Sequence, residues 1–532
     1  MNPTTPTGLA PVDATKLPEY APTTYIDFSQ PEHRAAFEQA LTAVRAALGA
    51  EHPLVIAGKQ LKGQGTFTST NPSRPSEVIG SFQSATAEQA ASAVEAAHLA
   101  FASWSRVPAA ERAAYLIEAA RRMRERRHWF SAWMVLEIGK SWNEADADTG
   151  EAIDFMEYYA REMLRDDAPQ PVVQLAGERD SLVYLPLGVG AVIPPWNFPL
   201  AITVGMTTAA IVTGNTVVLK PASDTPAIAW QFAALMEEIG LPAGVLNFVT
   251  GSGGVVGETM VRHARTRFVS FTGSKEVGVG INRIAAEVQP GQIWLKRVVA
   301  EMGGKDAIIV DEEADLDAAA QGVAASAFGF QGQKCSACSR AIVSEKVYPA
   351  FLDKLTGEVA KLTQGDADQY GNSMGPVSSQ KARDKILSYI EIGKGEGRLI
   401  AGGGPVAGKE GWFIQPTVIA DVKPTARIAT EEIFGPVLAV IPVKDFDAAL
   451  TVANGTEFGL TGALYSKNPA KLERARREFF VGNLYLNRKC TGALVGVHPF
   501  GGFNMSGTDS KAGGRDYLLL FLQAKSIAEK NT

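Results

Sequence analysis

The sequence predicts an α/β protein built from two doubly wound domains and a separate β segment. Short strands alternate with helical segments twice, once from Gly188 onward and again from Ala307 to about Leu486. These strands are nearly continuously apolar, which is typical of a parallel sheet buried on both faces. Their alternation with helices favours the doubly wound arrangement. A chain of 532 residues is also long for one hydrophobic core, so more than one domain is expected.

The N-terminal part of the chain is predicted to be mostly helical. Residues 1–30, which begin with many Pro and Thr residues, are expected to form a flexible N-terminal arm. A helix is predicted over 31–50, a small hairpin over 53–67 and further helices over 109–165. Between them, Thr86-Ala-Glu-Gln89 matches a capping box that would begin another helix.

A β segment interrupts this pattern at residues 166–186, where two apolar stretches flank a Gly-Glu-Arg-Asp turn. The pattern predicts a β-hairpin, which has no obvious core of its own and is expected to pack on a partner subunit. The tail Leu518–Lys530 is strand-like and could pair with another chain. The strands predicted for the two α/β domains are Val189–Ile193, Thr216–Leu219, Val245–Val249, Phe268–Phe271, Ala307–Val310, Ala341–Val343, Val437–Ile441 and Ala463–Tyr465.

Composition limits the possible classes of function. The net charge of -6 argues against nucleic acid as a partner. No apolar run reaches the roughly 18 residues needed to cross a bilayer, so no membrane partner is expected. The cysteines Cys335, Cys338 and Cys490 are a sparse, odd set that fits the reducing cytoplasm. No second cysteine pair or histidine cluster accompanies Cys335-x-x-Cys338, so no metal is expected.

Cys335 is the candidate nucleophile. It ends the stretch Phe328-Gly-Phe-Gln-Gly-Gln-Lys-Cys335, whose small and polar residues give a thiolate access and nearby backbone N–H groups. Lys334 adds a local positive charge. A cysteine among small residues is more often buried and inert, so the interpretation depends on other segments of the chain. Those segments are Pro194–Asn197, Glu301–Lys305 and Glu431–Pro436.

Two glycine-rich turns follow adjacent predicted strands. Thr250–Gly257 resembles a dinucleotide fingerprint, but Val256 occupies the position of the third glycine and no acidic residue follows at the usual distance. Alone, that turn is more typical of an ordinary strand–helix connection. In the second turn, Phe271–Gly278, Ser274 would cap a helix whose N-terminus can face a phosphate. Together the two turns favour a nucleotide site.

Three polar side chains at predicted strand ends suit carbonyl chemistry. Asn197 lies in a loop made rigid by prolines and could direct its amide at a developing oxyanion. Glu301 lies beside glycines that let a ligand approach, and it could activate water. Lys220 could bind ribose hydroxyls or phosphate. Taken singly, Asn197 is better explained as a turn residue and Lys220 as a strand-end charge.

These residues belong to motifs that resemble the aldehyde dehydrogenase superfamily over about residues 50–530. The shared motifs, in the family's order, are Pro195-Trp-Asn-Phe198, Val218-Leu-Lys-Pro221, Phe271-Thr-Gly-Ser274, Glu301-Met-Gly-Gly-Lys305, Gly332-Gln-Lys-Cys335, Glu432-Ile-Phe-Gly-Pro436 and Pro499-Phe-Gly-Gly502. The resemblance implies an aldehyde dehydrogenase-like fold in three parts. These are an NAD(P)-binding domain over 31–165 and 187–300, a catalytic domain over 301–504, and an oligomerisation arm over 166–186 and 505–532.

The resemblance also implies the roles of the catalytic residues. Cys335 would attack an aldehyde to give a thiohemiacetal, while Asn197 and the Cys335 backbone N–H hold the oxyanion. Loss of hydride gives a thioester, and Glu301 would activate the water that hydrolyses it. Two steps with lower barriers replace one difficult step. Relatives that acylate coenzyme A typically lack this glutamate, so release of a free acid is favoured.

For the cofactor, the resemblance implies that Lys220 and Glu432 hold ribose hydroxyls and that Phe434 packs beside the nicotinamide. Ser223 is a departure, because many relatives that prefer NAD carry a glutamate there to repel a 2′-phosphate. NAD is therefore the expected cofactor, with NADP also accepted. The full set of expected cofactor contacts is Pro195, Trp196, Lys220, Ser223, Phe271, Gly273, Ser274, Val277, Met302, Gly303, Glu432 and Phe434.

Two segments, Lys334–Ala337 and Lys489–Gly496, are similar to the 1-pyrroline-5-carboxylate (L-glutamate γ-semialdehyde) dehydrogenases. In those enzymes a serine after the nucleophile and the N–H groups of a Thr-Gly-Ala loop hold the substrate α-carboxylate, and a glycine there makes an anion-binding concavity. The substrate contacts implied are Ser336, Gly492 and Ala493 for the carboxylate, Phe198 and Phe500 for the aliphatic stem, and Glu137 for the α-amino group.

The expected function is therefore oxidation of L-glutamate γ-semialdehyde to L-glutamate in proline catabolism, by a cytoplasmic homodimer or higher homo-oligomer. Other interpretations remain open. The chain could oxidise another semialdehyde, such as succinic semialdehyde. It could be a catalytically silent protein on the same fold, although the catalytic residues argue against that. A thioredoxin-like redox role for Cys335 and Cys338 is a further alternative.

Overall fold

The computed structural model describes residues 9–531. The α-helices are α1 Pro31–Ala46, α2 Ala87–Trp104, α3 Ala109–Glu125, α4 Arg127–Ile138, α5 Trp142–Asp167, α6 Ala201–Val212, α7 Pro226–Glu238, α8 Glu258–Arg262, α9 Lys275–Ala286, α10 Leu316–Phe328, α11 Tyr348–Val359, α12 Gln380–Glu396, α13 Arg427–Thr430, α14 Phe446–Ala453 and α15 Pro469–Glu478.

The β-strands begin with a three-stranded sheet and a hairpin near the N-terminus. In chain order the strands are β1 Glu51–His52, β2 Leu54–Ile56, β3 Lys59–Leu61, β4 Thr66–Asn71, β5 Arg74–Gln83, β6 Glu178–Pro186, β7 Val189–Ile193, β8 Thr216–Leu219, β9 Leu246–Phe248, β10 Thr266–Thr272, β11 Arg297–Glu301, β12 Ala307–Val310, β13 Arg340–Ser344, β14 Arg398–Ala401, β15 Thr417–Ala420, β16 Val437–Val443, β17 Phe458–Gly459, β18 Thr461–Tyr465, β19 Asn483–Leu486, β20 Phe503–Asn504 and β21 Leu522–Lys530.

The first large sheet has the strand order β11-β10-β7-β8-β9-β2-β3. The strands from β11 to β9 are parallel, whereas the predicted hairpin β2–β3 is added antiparallel at one edge. Strands β7 and β8 have the predicted bounds because their residues are continuously apolar and nearly all buried. The capping box at Thr86 and Gln89 is confirmed, since each side chain accepts from the other's backbone N–H.

The second large sheet has the strand order β14-β15-β16-β13-β12-β18-β19. It is parallel except at its edge, where β14 runs antiparallel to β15. The two doubly wound α/β domains expected from the alternating pattern are thus confirmed. In both sheets helices cover the faces, and the cores form between helix and sheet.

The β segment at 166–186 is not a hairpin, so that prediction is wrong. Residues 170–175 form no strand, and β6 instead pairs antiparallel with β21, from Glu178 opposite Lys530 to Pro186 opposite Leu522. The C-terminal tail therefore pairs within its own chain. A strand's partner is chosen by hydrogen bonding across the fold, which local sequence does not record.

The N-terminal segment also differs from its prediction. Residues 1–8 of the expected flexible arm lie outside the described residues, but residues 20–28 lie against the helices. Phe28 is buried against Phe37 and Trp142, and the backbone of Thr23 and Ile26 donates hydrogen bonds to side chains of α5. The buried Phe28 and hydrogen bonds to α5, rather than any helical or strand period, hold this stretch in place.

No helix among residues 9–531 is long and apolar enough to cross a membrane.

Candidate active site

The predicted site residues meet where the two large sheets face each other. Asn197, Lys220, Ser274 and Glu301 lie at or just beyond the carboxyl ends of β7, β8, β10 and β11. Ligands bind at this edge of open α/β sheets. The opposing edge of the second sheet contributes the segment before β13, which carries Cys335, and the segment before β16, which carries Glu432.

A cavity of about 430 Å³ lies in this cleft. Its volume suits a small organic molecule rather than a polymer. Seven of the predicted catalytic and substrate residues line this cavity. They are Phe198, Glu301, Cys335, Ser336, Gly492, Ala493 and Phe500.

The loop before Cys335 is held in a strained conformation. Phe330 and Gln331 have φ angles of 46° and 56°, in the left-handed region that residues with a side chain seldom adopt. The Gln331 amide compensates by donating to the carbonyls of Gly139 and Pro376. At Gly332, with φ of 67°, an added Cβ would lie 2.3 Å from the Gly435 carbonyl, so only glycine fits. This over-determined loop fixes the position of the thiol that follows it.

The electrostatic setting of Cys335 differs from the prediction. Burial and the neighbouring carboxylates Asp306 and Glu301 raise the pKa of the thiol. Lys334 does not counter this effect, because its Nζ forms an ion pair with Oε1 of Glu144 at 2.7 Å. The resting thiol is therefore protonated, and the expectation that Lys334 holds a thiolate is corrected.

Glu301 is the last residue of β11 and is held by the loop that follows Phe500. Ser510 Oγ and the Gly502 N–H donate to its carboxylate. Burial outweighs these hydrogen bonds and raises its pKa to about 8. Near neutral pH a carboxylate with this pKa can accept and return a proton.

Asn197 is 4% exposed in the loop after β7. Its Nδ2 donates to the Gln333 carbonyl at 3.1 Å, which ties this loop to the segment that carries the thiol. An amide nitrogen has two donors, so a second N–H remains for another acceptor.

The segment 491–493 lines the cavity. Arg488 Nη2 donates to the carbonyls of Thr491 and Gly492, each at 3.2 Å. Since C=O and the following N–H point in opposite directions across a trans peptide, the N–H groups of Gly492 and Ala493 face away from Arg488. Sequence analysis missed Arg488, because an arginine outside every motif has no distinguishing signal.

Ser336 is held from behind by two side chains of the second domain. Its carbonyl accepts from Cys490 Sγ and Thr461 Oγ1, each at 3.4 Å. Cys338 lies in the same hydrophobic core as Cys490, and all three cysteines are free.

One wall of the cavity is a face of α5 that sequence analysis also missed. Glu144, Ala147, Glu151 and Phe155 line it at helical spacing. Burial raises the pKa of Glu151 to about 8. The helical spacing of these four residues is the signal in the sequence that could have revealed this wall.

Glu137 is not part of the cavity, so its predicted contact with a substrate amino group is corrected. Its carboxylate accepts from the N–H groups of Ala227 and Ile228 at 2.7 and 2.9 Å, at the N-terminus of α7. Ser69 Oγ donates to it as well. It lies in the last turn of α4 and caps the N-terminus of α7.

The residues predicted to hold a dinucleotide fit such a group. Lys220 Nζ, whose pKa burial lowers to about 8, has one acceptor, the Pro221 carbonyl. The Glu432 carboxylate accepts the Gly304 N–H and has further acceptor capacity. An added Cβ at Gly303 would lie 2.3 Å from Glu432, so the carboxylate needs glycine there.

The rest of the predicted cofactor set surrounds these two groups. Ser274 caps α9, and Val277 in its first turn is 52% exposed. Trp196 packs edge-on against Phe434, with 5.4 Å between ring centres. Other members lie beneath or beside the cleft: Phe271 is buried under Gly273, Met302 lines the cavity, Pro195 precedes Trp196, and Ser223 is exposed after β8.

Val256, which replaces the third glycine of a fingerprint, is fully buried and packs against Gly251. The turn forms a short π-helix over Gly253–Gly257, and an added Cβ at Gly253 or Gly254 would meet only open space. Lys220 lies beneath it, 3.7 Å from a Cβ built on Gly257.

Comparison with known proteins decides the family. The model of the aldehyde dehydrogenase family matches residues 60–527. The chain belongs to this family. It is 58% identical to a 1-pyrroline-5-carboxylate dehydrogenase of Geobacillus thermodenitrificans, over 95% of this chain and 98% of that one.

Solved structures of the family agree. A Thermus 1-pyrroline-5-carboxylate dehydrogenase with bound NAD matches with a TM-score of 0.95 and 50% identity, covering 97% of this chain and all of the other. Betaine aldehyde dehydrogenase of Staphylococcus aureus, in complex with NAD⁺, matches with a TM-score of 0.86 and 30% identity, covering 93% and 98% of the two chains.

Proposed function

We propose that this aldehyde dehydrogenase oxidises L-glutamate γ-semialdehyde, which is in equilibrium with 1-pyrroline-5-carboxylate, to L-glutamate. The observation that carries the proposal is one cavity lined by Cys335, by Glu301 and by the donor loop Thr491–Ala493. Cys335 and Glu301 provide aldehyde oxidation. The donor loop provides recognition of a carboxylate at the other end of the substrate.

In the first step the Cys335 thiol adds to the aldehyde carbon. Because the resting thiol is protonated, its proton passes to solvent as the C–S bond forms. The carbonyl oxygen becomes an oxyanion, which the free N–H of Asn197 and the Cys335 backbone N–H stabilise. The strained loop and the Asn197–Gln333 hydrogen bond fix the position of the Cys335 thiol relative to the Asn197 amide.

When bound, NAD⁺ supplies the acceptor for the hydride that leaves this carbon. Lys220 and Glu432 would hold its ribose hydroxyls, and the N-terminus of α9 would face its phosphates. The exposed Ser223 offers no negative charge against a 2′-phosphate, so NADP⁺ is accepted as well.

Glu301 then takes a proton from water, and the water attacks the thioester formed on Cys335. The C–S bond breaks, the carboxylic acid leaves, and Glu301 gives the proton to the Cys335 thiolate, which regenerates the thiol. Its pKa of about 8 suits both transfers near neutral pH.

Recognition of the substrate α-carboxylate is assigned to the N–H groups of Gly492 and Ala493, with Ser336 on the other side. Phe198 and Phe500 border the aliphatic stem. Glu151, which has no ion pair with a lysine or arginine among the described residues, lines the same cavity, and its carboxyl oxygens can accept hydrogen bonds from the α-ammonium group. The much higher identity to 1-pyrroline-5-carboxylate dehydrogenases than to betaine aldehyde dehydrogenase supports this substrate.

The assembly proposed is a homodimer or a higher homo-oligomer of the cytoplasm. The β6–β21 ribbon leaves Val183, Leu185 and Ile527 exposed on one face, where they suit a partner subunit. Three free cysteines fit a reducing compartment.

Initial rates of NADH formation test the function. We expect a strong preference for 1-pyrroline-5-carboxylate over succinic semialdehyde and over propanal, which lacks a carboxylate. A preference for succinic semialdehyde would leave the chemistry standing and replace the substrate. No turnover with any of the three would refute the proposal.

A further inference from the structure

We propose that residues 20–26, the N-terminal strap, belong to the substrate site, with Tyr20 as a positioning residue for the donor loop and Tyr25 as part of the cavity mouth. The match to the aldehyde dehydrogenase family begins at residue 60, so the strap lies outside it. The inference uses the proposed function only in the choice of substrate for its test.

The strap runs along α5 and is fixed there by buried acidic side chains. The Thr23 N–H and Oγ1 donate to Asp154 Oδ1 at 2.9 and 2.6 Å. Further along, the Ile26 N–H donates to Asp146 Oδ2 at 2.9 Å. Hydrogen bonds of backbone groups to ionised carboxylates are among the stronger ones in proteins, so this attachment is specific.

Arg127 completes the attachment. It forms two hydrogen bonds of 2.6 Å with the Asp146 carboxylate and donates through Nη1 to the Thr24 carbonyl at 2.8 Å. Asp146 is 1% exposed and so is held in place by this pairing. The helix that forms one wall of the cavity therefore also carries the strap.

At its start the strap contacts the chain two residues after the donor loop. Tyr20 Oη donates to the Val495 carbonyl at 3.0 Å. Burial raises the pKa of Tyr20, so the hydroxyl stays protonated and remains a donor. The Tyr20 ring packs edge-on against Tyr158 of α5, with 5.1 Å between ring centres.

The residue after Val495 is a glycine, which leaves room for this contact. Gly496 has φ of 75°, and an added Cβ would lie 2.8 Å from the Tyr20 ring and 3.0 Å from the Tyr158 ring. The two tyrosines thus pack directly onto Gly496, three residues after the donor loop that lines the cavity. Moving Tyr20 would free this end of the loop.

At its other end the strap lines the cavity. Tyr25 and Ile26 border it beside Glu144 and Glu151. Tyr25 is 53% exposed, which places it at the mouth rather than in the interior. One short segment therefore both borders the entrance and supports the group that would recognise a carboxylate.

The test uses Tyr20→Phe in the full-length protein, since this change removes the hydrogen bond and keeps the ring. The loss of one hydrogen bond should raise KM for 1-pyrroline-5-carboxylate about two- to tenfold. The kcat, and KM for propanal, should stay as in the parent protein, because propanal has no carboxylate to place. Tyr370→Phe removes a hydroxyl outside the cavity and is the matched control. Thr23→Val, which loosens the strap at Asp154, should act in the same direction as Tyr20→Phe.

Hydrogen–deuterium exchange gives a second readout that does not depend on the substrate. Amides of residues 489–498 should exchange faster in Tyr20→Phe than in the parent and in Tyr370→Phe. Unchanged KM together with unchanged exchange would overturn the proposal, as would an equal loss with both substrates. If the parent does not oxidise 1-pyrroline-5-carboxylate, the proposed function fails, but the exchange result still decides the role of the strap.

Discussion

At the scale of single residues, both groups proposed to perform the chemistry are disfavoured in their charged forms. Burial raises the pKa of the Cys335 thiol, and it raises that of Glu301 to about 8. A neutral thiol resists adventitious oxidation, and a weakly basic carboxylate can both accept and return a proton. Arg488 acts behind the cavity lining by donating to two backbone carbonyls of the donor loop.

The pH dependence of kcat should follow Glu301. Its carboxylate is the active form, so kcat should rise with pH and level off above about 8. Ser510 donates to this carboxylate and stabilises its charged form. Ser510→Ala should therefore raise the pKa further and move the rising limb to higher pH. A profile of kcat against pH for both proteins checks this, and a shift to lower pH would contradict the assigned hydrogen bond.

Removal of the Arg488 guanidinium should weaken carboxylate recognition. In Arg488→Gln the carbonyls of Thr491 and Gly492 lose their charged donor, so the N–H groups of Gly492 and Ala493 are no longer held toward the cavity. We expect KM for 1-pyrroline-5-carboxylate to rise about tenfold or more. Steady-state kinetics with propanal serve as the comparison, and an equal loss with propanal would show damage to the thiol site instead.

At the scale of elements, the site is formed mainly by the ends of strands and helices. The carboxyl ends of the first sheet and the amino ends of the second sheet supply the site, while α5 supplies a wall and α9 a capped N-terminus. Glu137 was predicted to contact the substrate, but its role in the fold is to cap a helix. Its carboxylate satisfies two N–H groups at the start of α7, which no residue within that helix can do.

Glu137→Gln should therefore affect stability and not substrate binding. An amide has one oxygen to accept from the two N–H groups, so the free energy of unfolding should fall by about 1–3 kcal/mol. Urea denaturation measures that change, and KM for the substrate should be unaltered. Glu237→Gln, on the exposed face of α7, is the matched control. A raised KM with unchanged stability would restore Glu137 to the substrate site.

At the scale of the whole molecule, much of the architecture could be predicted from the sequence. Strands β7, β8 and β12 are short, apolar and buried on both faces, so pattern alone gave their bounds. Nucleophile, base and glycine-rich turns lie in local motifs. Contacts between segments distant in sequence could not be predicted, because pairing such as that of β6 with β21 depends on the finished fold. The N-terminal strap has no period at all, and only its buried partners on α5 define it.

The exposed apolar face of the β6–β21 ribbon should join subunits. Val183 and Leu185 are 38% and 40% exposed on that face. Val183→Asp combined with Leu185→Asp would bury charges in such an interface, so light scattering should show a lower mass than for the parent. Leu99→Asp, at a residue 74% exposed on α2, is the control and should leave the mass unchanged. An unchanged mass in the double variant would place the interface elsewhere.

The central claim joins nucleophile, base and substrate, and one measurement tests all three. Glu301→Gln mixed with 1-pyrroline-5-carboxylate and NAD⁺ should form about one NADH per active site and then stop, because the thioester is not hydrolysed. Mass spectrometry should find one glutamyl group attached to the peptide that contains Cys335. A modified residue other than Cys335, or turnover continuing at the rate of the parent protein, would contradict the account.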